Sequence, residues 1–129
     1  MRRLALGLAL AGLCGPALAQ GVPSGQAVVL WQVLWERIDG QGTQAILRFI
    51  APEVARDGGS VDFETAQTDM NWLCETHGLP VAGLAYARSD EIVITLMDRA
   101  VPRGATDPEA TRYFAVYRVA DGRCAAVDY

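Results

Sequence analysis

Residues 61–80 read VDFETAQTDMNWLCETHGLP. Phe63, Ala66, Met70, Leu73, Cys74 and His77 recur at intervals of 3, 4, 3, 1 and 3. At about 3.6 residues per turn these side chains form one stripe of an α-helix. Asp62 is placed to cap the N-terminus, because its carboxylate can accept from the unpaired amides of the first turn, and Glu64 suits that positive end. Gly78 is expected in the left-handed conformation that follows a helix, with Pro80 forbidding continuation. The stretch therefore predicts a helix of about four turns with a thiol in its core-facing stripe. Cys124, the last cysteine, is the natural partner of Cys74. The domain is expected to consist of strands gathered around this helix and pinned to it.

Immediately before the helix, Arg56-Asp57-Gly58-Gly59-Ser60 reads as a turn, since it lacks the lysine and spacing of a Walker motif and also lacks GxGxxG. Further upstream, residues 26–38 (QAVVLWQVLWERI) fit two patterns. As a strand, Val29, Trp31, Val33 and Trp35 share a face; as a helix, Ala27, Trp31, Leu34, Trp35 and Ile38 share a stripe. The β-branched and aromatic content, with no capping residue ahead of it, favours the strand. Asp39-Gly40-Gln41-Gly42 is turn chemistry leading into TQAILRFI at residues 43–50, so a long hairpin is expected, ended by Pro52. Under either pattern Trp31 and Trp35 fall on one face, as core packing or as a ligand platform.

Downstream, residues 91–97 (EIVITLM) predict a strand with Ile92, Ile94 and Leu96 on one face. Residues 98–110 (DRAVPRGATDPEA) form a polar loop of a length that compact domains seldom hold without a binding role. Residues 111–119 read as a strand, in competition with a helix starting at Asp107-Pro108-Glu109 that would align Ala110, Tyr113, Phe114 and Tyr117. Asp121-Gly122 then turns the chain into residues 123–129. A two-residue turn sets Cys124 opposite Val119, on the face of Tyr113 and Tyr117. A three-residue turn with a glycine bulge moves it to the face of Phe114 and Val116. The resulting order is β-β-α-β-β-β, an α+β fold. It is expected to hold a largely antiparallel sheet of about five strands, with one main helix on one face tied by a disulfide to the C-terminal strand.

The first nineteen residues read as an address. Arg2 and Arg3 precede an apolar run over residues 4–13, and Ala17-Leu18-Ala19 offers the small residues that signal peptidase reads, with cleavage before Gln20. A membrane-spanning helix needs about 20 apolar residues, and Pro16 interrupts this stretch first. A lipid-modified Cys14 is disfavoured by Leu13 just before it. The expected organisation is a cleavable signal peptide over residues 1–19, a flexible lead-in over residues 20–26 and a single domain over residues 27–129 of an exported, periplasmic protein. Removing Arg2 and Arg3 takes eleven basic residues to nine against fifteen acidic ones, so the formal charge moves from −4 to −6. Such a surface argues against nucleic acid and anionic membranes as partners. The chain has no lysine, so every side-chain cation apart from histidine is a guanidinium. Cleavage would leave Cys74 and Cys124, and two thiols in an exported domain read as one disulfide.

No catalytic set emerges. His77 follows Cys74 by three residues on the same stripe, which permits a thiolate activated by imidazole with Glu75 nearby. A reactive cysteine needs exposure and an electropositive setting, however, and this one is expected mid-stripe on an apolar face. Asp62, Glu64 and Asp69 do not form an acid–base pair. Cys74, His77 and Cys124 fall short of the four ligands of a structural zinc site. No metal ligand, catalytic residue or cofactor is therefore assigned. Candidates for an interaction surface are Trp72, opposite Phe63 on the helical wheel, and Asp98, Arg99, Arg103 and Asp107 in the long loop.

Several stretches carry a resemblance to a known family: Leu47-Arg48-Phe49, Ala55-Arg56-Asp57-Gly58-Gly59, Val61-Asp62-Phe63 leading to Leu73-Cys74-Glu75, Asp98-Arg99 with Val101-Pro102, and Tyr117-Arg118 with Gly122-Arg123-Cys124. From about Val22 to the C-terminus the chain resembles a family of small exported alphaproteobacterial proteins of unknown function. Some proteins like it carry the label acetolactate synthase. This sequence is too short for a thiamine-diphosphate fold and lacks the GDG…NN motif. The resemblance implies export and paired cysteines and supplies no mechanism. The function expected is therefore a non-enzymatic binding or accessory protein of the cell envelope, contacting an envelope protein or a small ligand through residues 98–110 or the Trp72 face. The alternatives are a thiol-dependent or hydrolytic enzyme using Cys74 and His77, and a metal-binding module.

Overall fold

Asp62 caps the helix as its position predicts, with Oδ1 accepting from the Thr65 amide at 2.9 Å. The computed structural model describes residues 21–40 and 42–128, so the signal peptide read over residues 1–19 lies outside the described residues. Helix α1 runs Phe63–Leu73 and buries Ala66, Met70, Leu73 and, just past its end, Cys74. Phe63 stays half exposed, its ring edge-on to Tyr113 at 5.2 Å.

The helix does not stop at Gly78. A π-turn over Cys74–Gly78 carries it into a short helix α2, Leu79–Ala82, which ends at Gly83. Gly78 has φ −71° and ψ −46°, ordinary right-handed values. Its role is close approach: a Cβ there would stand 2.9 Å from Ile92 Cγ2. Pro80 is tolerated because it occupies the first turn of α2, where its missing N–H costs little, after Leu79 has donated five residues back to the Cys74 carbonyl. The expected stop signals thus mark a π-turn and a helix-to-sheet contact.

Five strands form one sheet in the order β1-β2-β3-β4-β5. They are β1 Val29–Ile38, β2 Gly42–Ile50, β3 Glu91–Met97, β4 Arg112–Ala120 and β5 Arg123–Ala126. The two ambiguous segments, residues 26–38 and 111–119, therefore form strand rather than helix, from Val29 and from Arg112 onward. Every neighbouring pair is antiparallel except β2 with β3, where the helical segment supplies the crossover that a parallel pair requires. Leu47, Phe49, Ile92, Ile94, Leu96 and Tyr117 point to the helix side and make the core with Met70, Leu73 and Cys74. Residues of the opposite parity, among them Ile46, Arg48, Val93, Thr95 and Phe114, form the second face.

The β4–β5 turn takes the two-residue form. Asp121 and Gly122 have φ of 53° and 73°, the left-handed pair that a type I′ turn needs, and Val119 faces Cys124. This register aims Cys124 at the helix side. Its sulfur lies 2.15 Å from that of Cys74, at disulfide distance. Beside it, Glu75 accepts from Arg123 Nε at 2.9 Å and from the Cys124 amide at 2.7 Å. The helix is thus held to β5 by a carboxylate clamp next to the sulfur pair.

The Cys124 amide, together with the Arg123 guanidinium and against some desolvation, holds the Glu75 carboxyl below its ordinary value. A depressed folded-state pKa contributes stability that is present above the ordinary value of 4.5 and is lost as pH falls through the folded value. Glu75→Gln is accordingly expected to melt below the unsubstituted protein at pH 7, with the gap closing at pH values under 4.5. Thermal melts from pH 7 down to pH 3 check this, and a gap that is constant with pH would remove the clamp's electrostatic role.

Candidate functional site

Strand β1 does not keep the alternation that would put Trp31 and Trp35 on one face. A bulge between Leu30 and Gln32 inserts one residue, so Leu30 pairs with Phe49, while Gln32 pairs with Arg48 and Trp35 with Ala45. Trp35 therefore sits on the helix side, near Tyr86. The Trp31 ring instead stacks over the Arg48 guanidinium on the second face, its centroid 5.2 Å from Cζ. A single extra residue has separated the two rings.

Arg48 is the residue the second face is built around. It projects from the interior strand β2 and is only 3% exposed. Its Nη1 donates to Gln32 Oε1 at 2.5 Å, and its Nη2 donates to the Val101 carbonyl at 2.6 Å and to Met97 Sδ at 3.4 Å. All three acceptors are neutral. Burial, and then the nearby Arg103 and Arg112, lower the Arg48 pKa from its ordinary value.

The bond to Val101 fixes the long loop across this face as a strap. At its base the Asp98 amide donates to the Thr111 carbonyl at 3.1 Å, and the Thr111 amide donates to Asp98 Oδ1 at 2.8 Å. Burial opposes ionisation of Asp98, but hydrogen bonds from Arg99 and Thr111 outweigh it and keep the carboxyl below its ordinary value. Arg103, at the far end of the strap, pairs with Glu36 of β1. From the glycine-rich loop before α1, the Arg56 amide donates to Thr111 Oγ1 at 2.9 Å, and its guanidinium binds the carbonyls of Ala110 and Pro108. That loop is indeed a turn, and it grips the strap.

Between strap and sheet lies an open pocket of about 320 Å³, lined by Arg48, Thr95, Arg103, Arg112, Phe114 and the backbone around Gly104. Phe114 stands at its rim, 62% exposed. A smaller pocket of about 130 Å³ adjoins it on the other side of Arg112 and includes Asp107.

Of the residues singled out from sequence, Arg103 lines the larger pocket and Asp107 the smaller one. Asp98 and Arg99 form an ion pair at the base of the strap, 2.9 Å apart. Trp72 lies elsewhere, half-buried on the helix side, with its ring 5.8 Å from that of His77. His77 is wedged between Trp72 and Phe49, and its Nε2 is buried without a hydrogen-bond partner. Neither His77 nor Cys74 lines the strap pocket. Among the described residues, no group of three or more His, Cys, Asp and Glu side chains is placed to hold a metal ion.

Sequence reasoning missed Arg48, Thr95, Arg112 and Phe114 as site residues. One signal was present: Arg48 interrupts the apolar run AILRFI, and a charged residue inside a buried strand is uncommon without a purpose. A family of unknown function (DUF6497) matches residues 7–129. The chain belongs to that family. No curated protein and no solved structure gives a significant match. Membership in DUF6497 accords with the expected resemblance and leaves the chemistry to be argued from the site itself. Among the described residues no helix is long and apolar enough to cross a membrane.

Proposed function

We propose that this DUF6497 protein is a non-enzymatic binding or accessory domain of the cell envelope, exported to the periplasm, which takes a small ligand or a partner's side chain beneath the strap. The observation that carries the reading is the strap's own attachment. It is fastened at four places, namely the Asp98–Thr111 base, Arg56, Arg48 and the Arg103–Glu36 pair, and it leaves the pocket beneath it open. Loops fixed at this many points offer a preorganised rim, which lowers the ordering cost of binding. The paired cysteines support an oxidising compartment. Against the thiol-enzyme alternative, Cys74 faces Cys124 at disulfide distance and Glu75 is engaged by Arg123 and the Cys124 amide.

The test uses tagged full-length chain, processed and purified from the envelope fraction, followed by native mass spectrometry for a retained ligand or partner. Arg103→Ala is expected to lose the retained species while Trp72→Ala keeps it. Retention of nothing by either variant or by the unsubstituted protein would count against a binding role. Loss in Trp72→Ala alone would move the site to the helix side.

A further inference from the structure

We infer that the strap pocket is an anion site, whose ligand presents a carboxylate or phosphate group on a flat or apolar body. This rests on the binding reading above and narrows it to one ligand chemistry. The decisive feature is the buried Arg48, whose three hydrogen-bond acceptors are all neutral. A guanidinium withdrawn from water needs a counter-charge, and without one it keeps an unmet electrostatic demand. Arg103 and Arg112 line the same pocket and add to that demand. Against these three guanidinium groups stands one carboxylate at the rim, Glu36 on Arg103, while Asp107 faces the smaller pocket beyond Arg112. Among the described residues Arg112 has no ion-pair partner.

This concentration of positive charge occurs in a chain whose overall formal charge is −4, so general basicity does not explain it. An anion entering here would meet the Arg112 guanidinium, a planar donor fork that suits two-oxygen groups. Arg48 and Arg103, engaged by Gln32, Val101, Met97 and Glu36, contribute their charge from the pocket wall. Thr95 supplies a hydroxyl on the pocket wall, and the exposed Phe114 ring offers a face for the rest of the ligand. The volume of about 320 Å³ sits at the small end of ligand pockets, which suits a compact molecule or a single side chain.

The experiment titrates isotope-labelled full-length protein, after export and processing, with benzoate, phenyl phosphate and the neutral benzyl alcohol. It follows the Trp31 indole N–H resonance, identified by its absence in Trp31→Phe. That ring lies over Arg48 and should report an arriving charge. Saturable shifts are expected with benzoate, phenyl phosphate or both, weakening as salt is added. Whichever probe binds tells carboxylate from phosphate. Arg112→Gln removes an exposed cation without breaking an ion pair, and should weaken the anions about tenfold or more while leaving the melting temperature unchanged. Equal binding of benzyl alcohol, with Arg112→Gln indifferent, would overturn the anion class and leave a binding pocket standing. Silence toward all three probes would overturn the anion site and count against the strap pocket as a small-ligand site.

Discussion

Replacing Cys124 with Ser is expected to destabilise the protein by about 3–4 kcal/mol, the effect of opening a covalent loop of this size in the chain-entropy model. The two cysteines are 50 residues apart and connect the π-turn at the end of α1 to the short edge strand β5. Strand β5 has only four residues and is largely exposed, so little else than the pairing with β4 and the Glu75 clamp holds it to the domain. In a domain of this size the loss corresponds to a melting shift on the order of 15 °C. Urea unfolding of the unsubstituted protein, the same protein after reduction, and Cys124→Ser measures it. The reduced protein and the Ser variant should nearly coincide. Alkylation followed by intact mass adds a direct reading, with both thiols modified only after reduction. Alkylation of native, unreduced protein would show free thiols and return Cys74 with His77 to consideration as a reactive pair.

Asp69→Ala is expected to cost about 3 kcal/mol, because it removes a buried acceptor from three donors at once. The Asp69 side chain is wholly buried at the helix, where it accepts from the Ser24 amide at 2.9 Å, Ser24 Oγ at 2.5 Å and Gln26 Nε2 at 2.7 Å. These bonds tie the segment before β1 to α1 and seat Val22 in the core. Asp69→Asn keeps one acceptor oxygen and should fall between the two. Urea unfolding measures the stability, and hydrogen exchange at residues 21–28 measures whether the segment has been released. A change under about 0.5 kcal/mol, the range of ordinary surface substitutions, would mean that the carboxylate is not what holds it.

Much of the fold was legible because it depends on local periodicity. The stripe from Ala66 to Cys74, the Asp62 cap, the alternation in EIVITLM and the Asp121-Gly122 turn each concern neighbours in the chain, and short-range sterics act on them directly. The element order follows from the same reading, with a helical alternative open at residues 26–38 and 111–119. The partner of Cys74 follows instead from the count of cysteines in an exported domain.

What the sequence concealed depends on contacts between distant residues. Gly78 and Pro80 look like stop signals, and only the approach of Ile92 turns the glycine into a spacer. The bulge in β1 is decided by pairing with β2, so no periodicity within residues 26–38 could separate Trp31 from Trp35. Asp69 reads as a polar helix residue until Ser24 and Gln26, more than forty residues away, arrive to satisfy it. The arginine pocket is the furthest from local rules, because Arg48, Arg103 and Arg112 come from strand β2, the strap and strand β4. Sequence alone determined the core stripe of the helix, its Asp62 cap and the strand at EIVITLM, since hydrophobic period and capping chemistry act within a few residues. Tertiary structure alone decided where the charge gathers, because electrostatic demand arises only when burial removes water and chain closure brings separate guanidinium groups together.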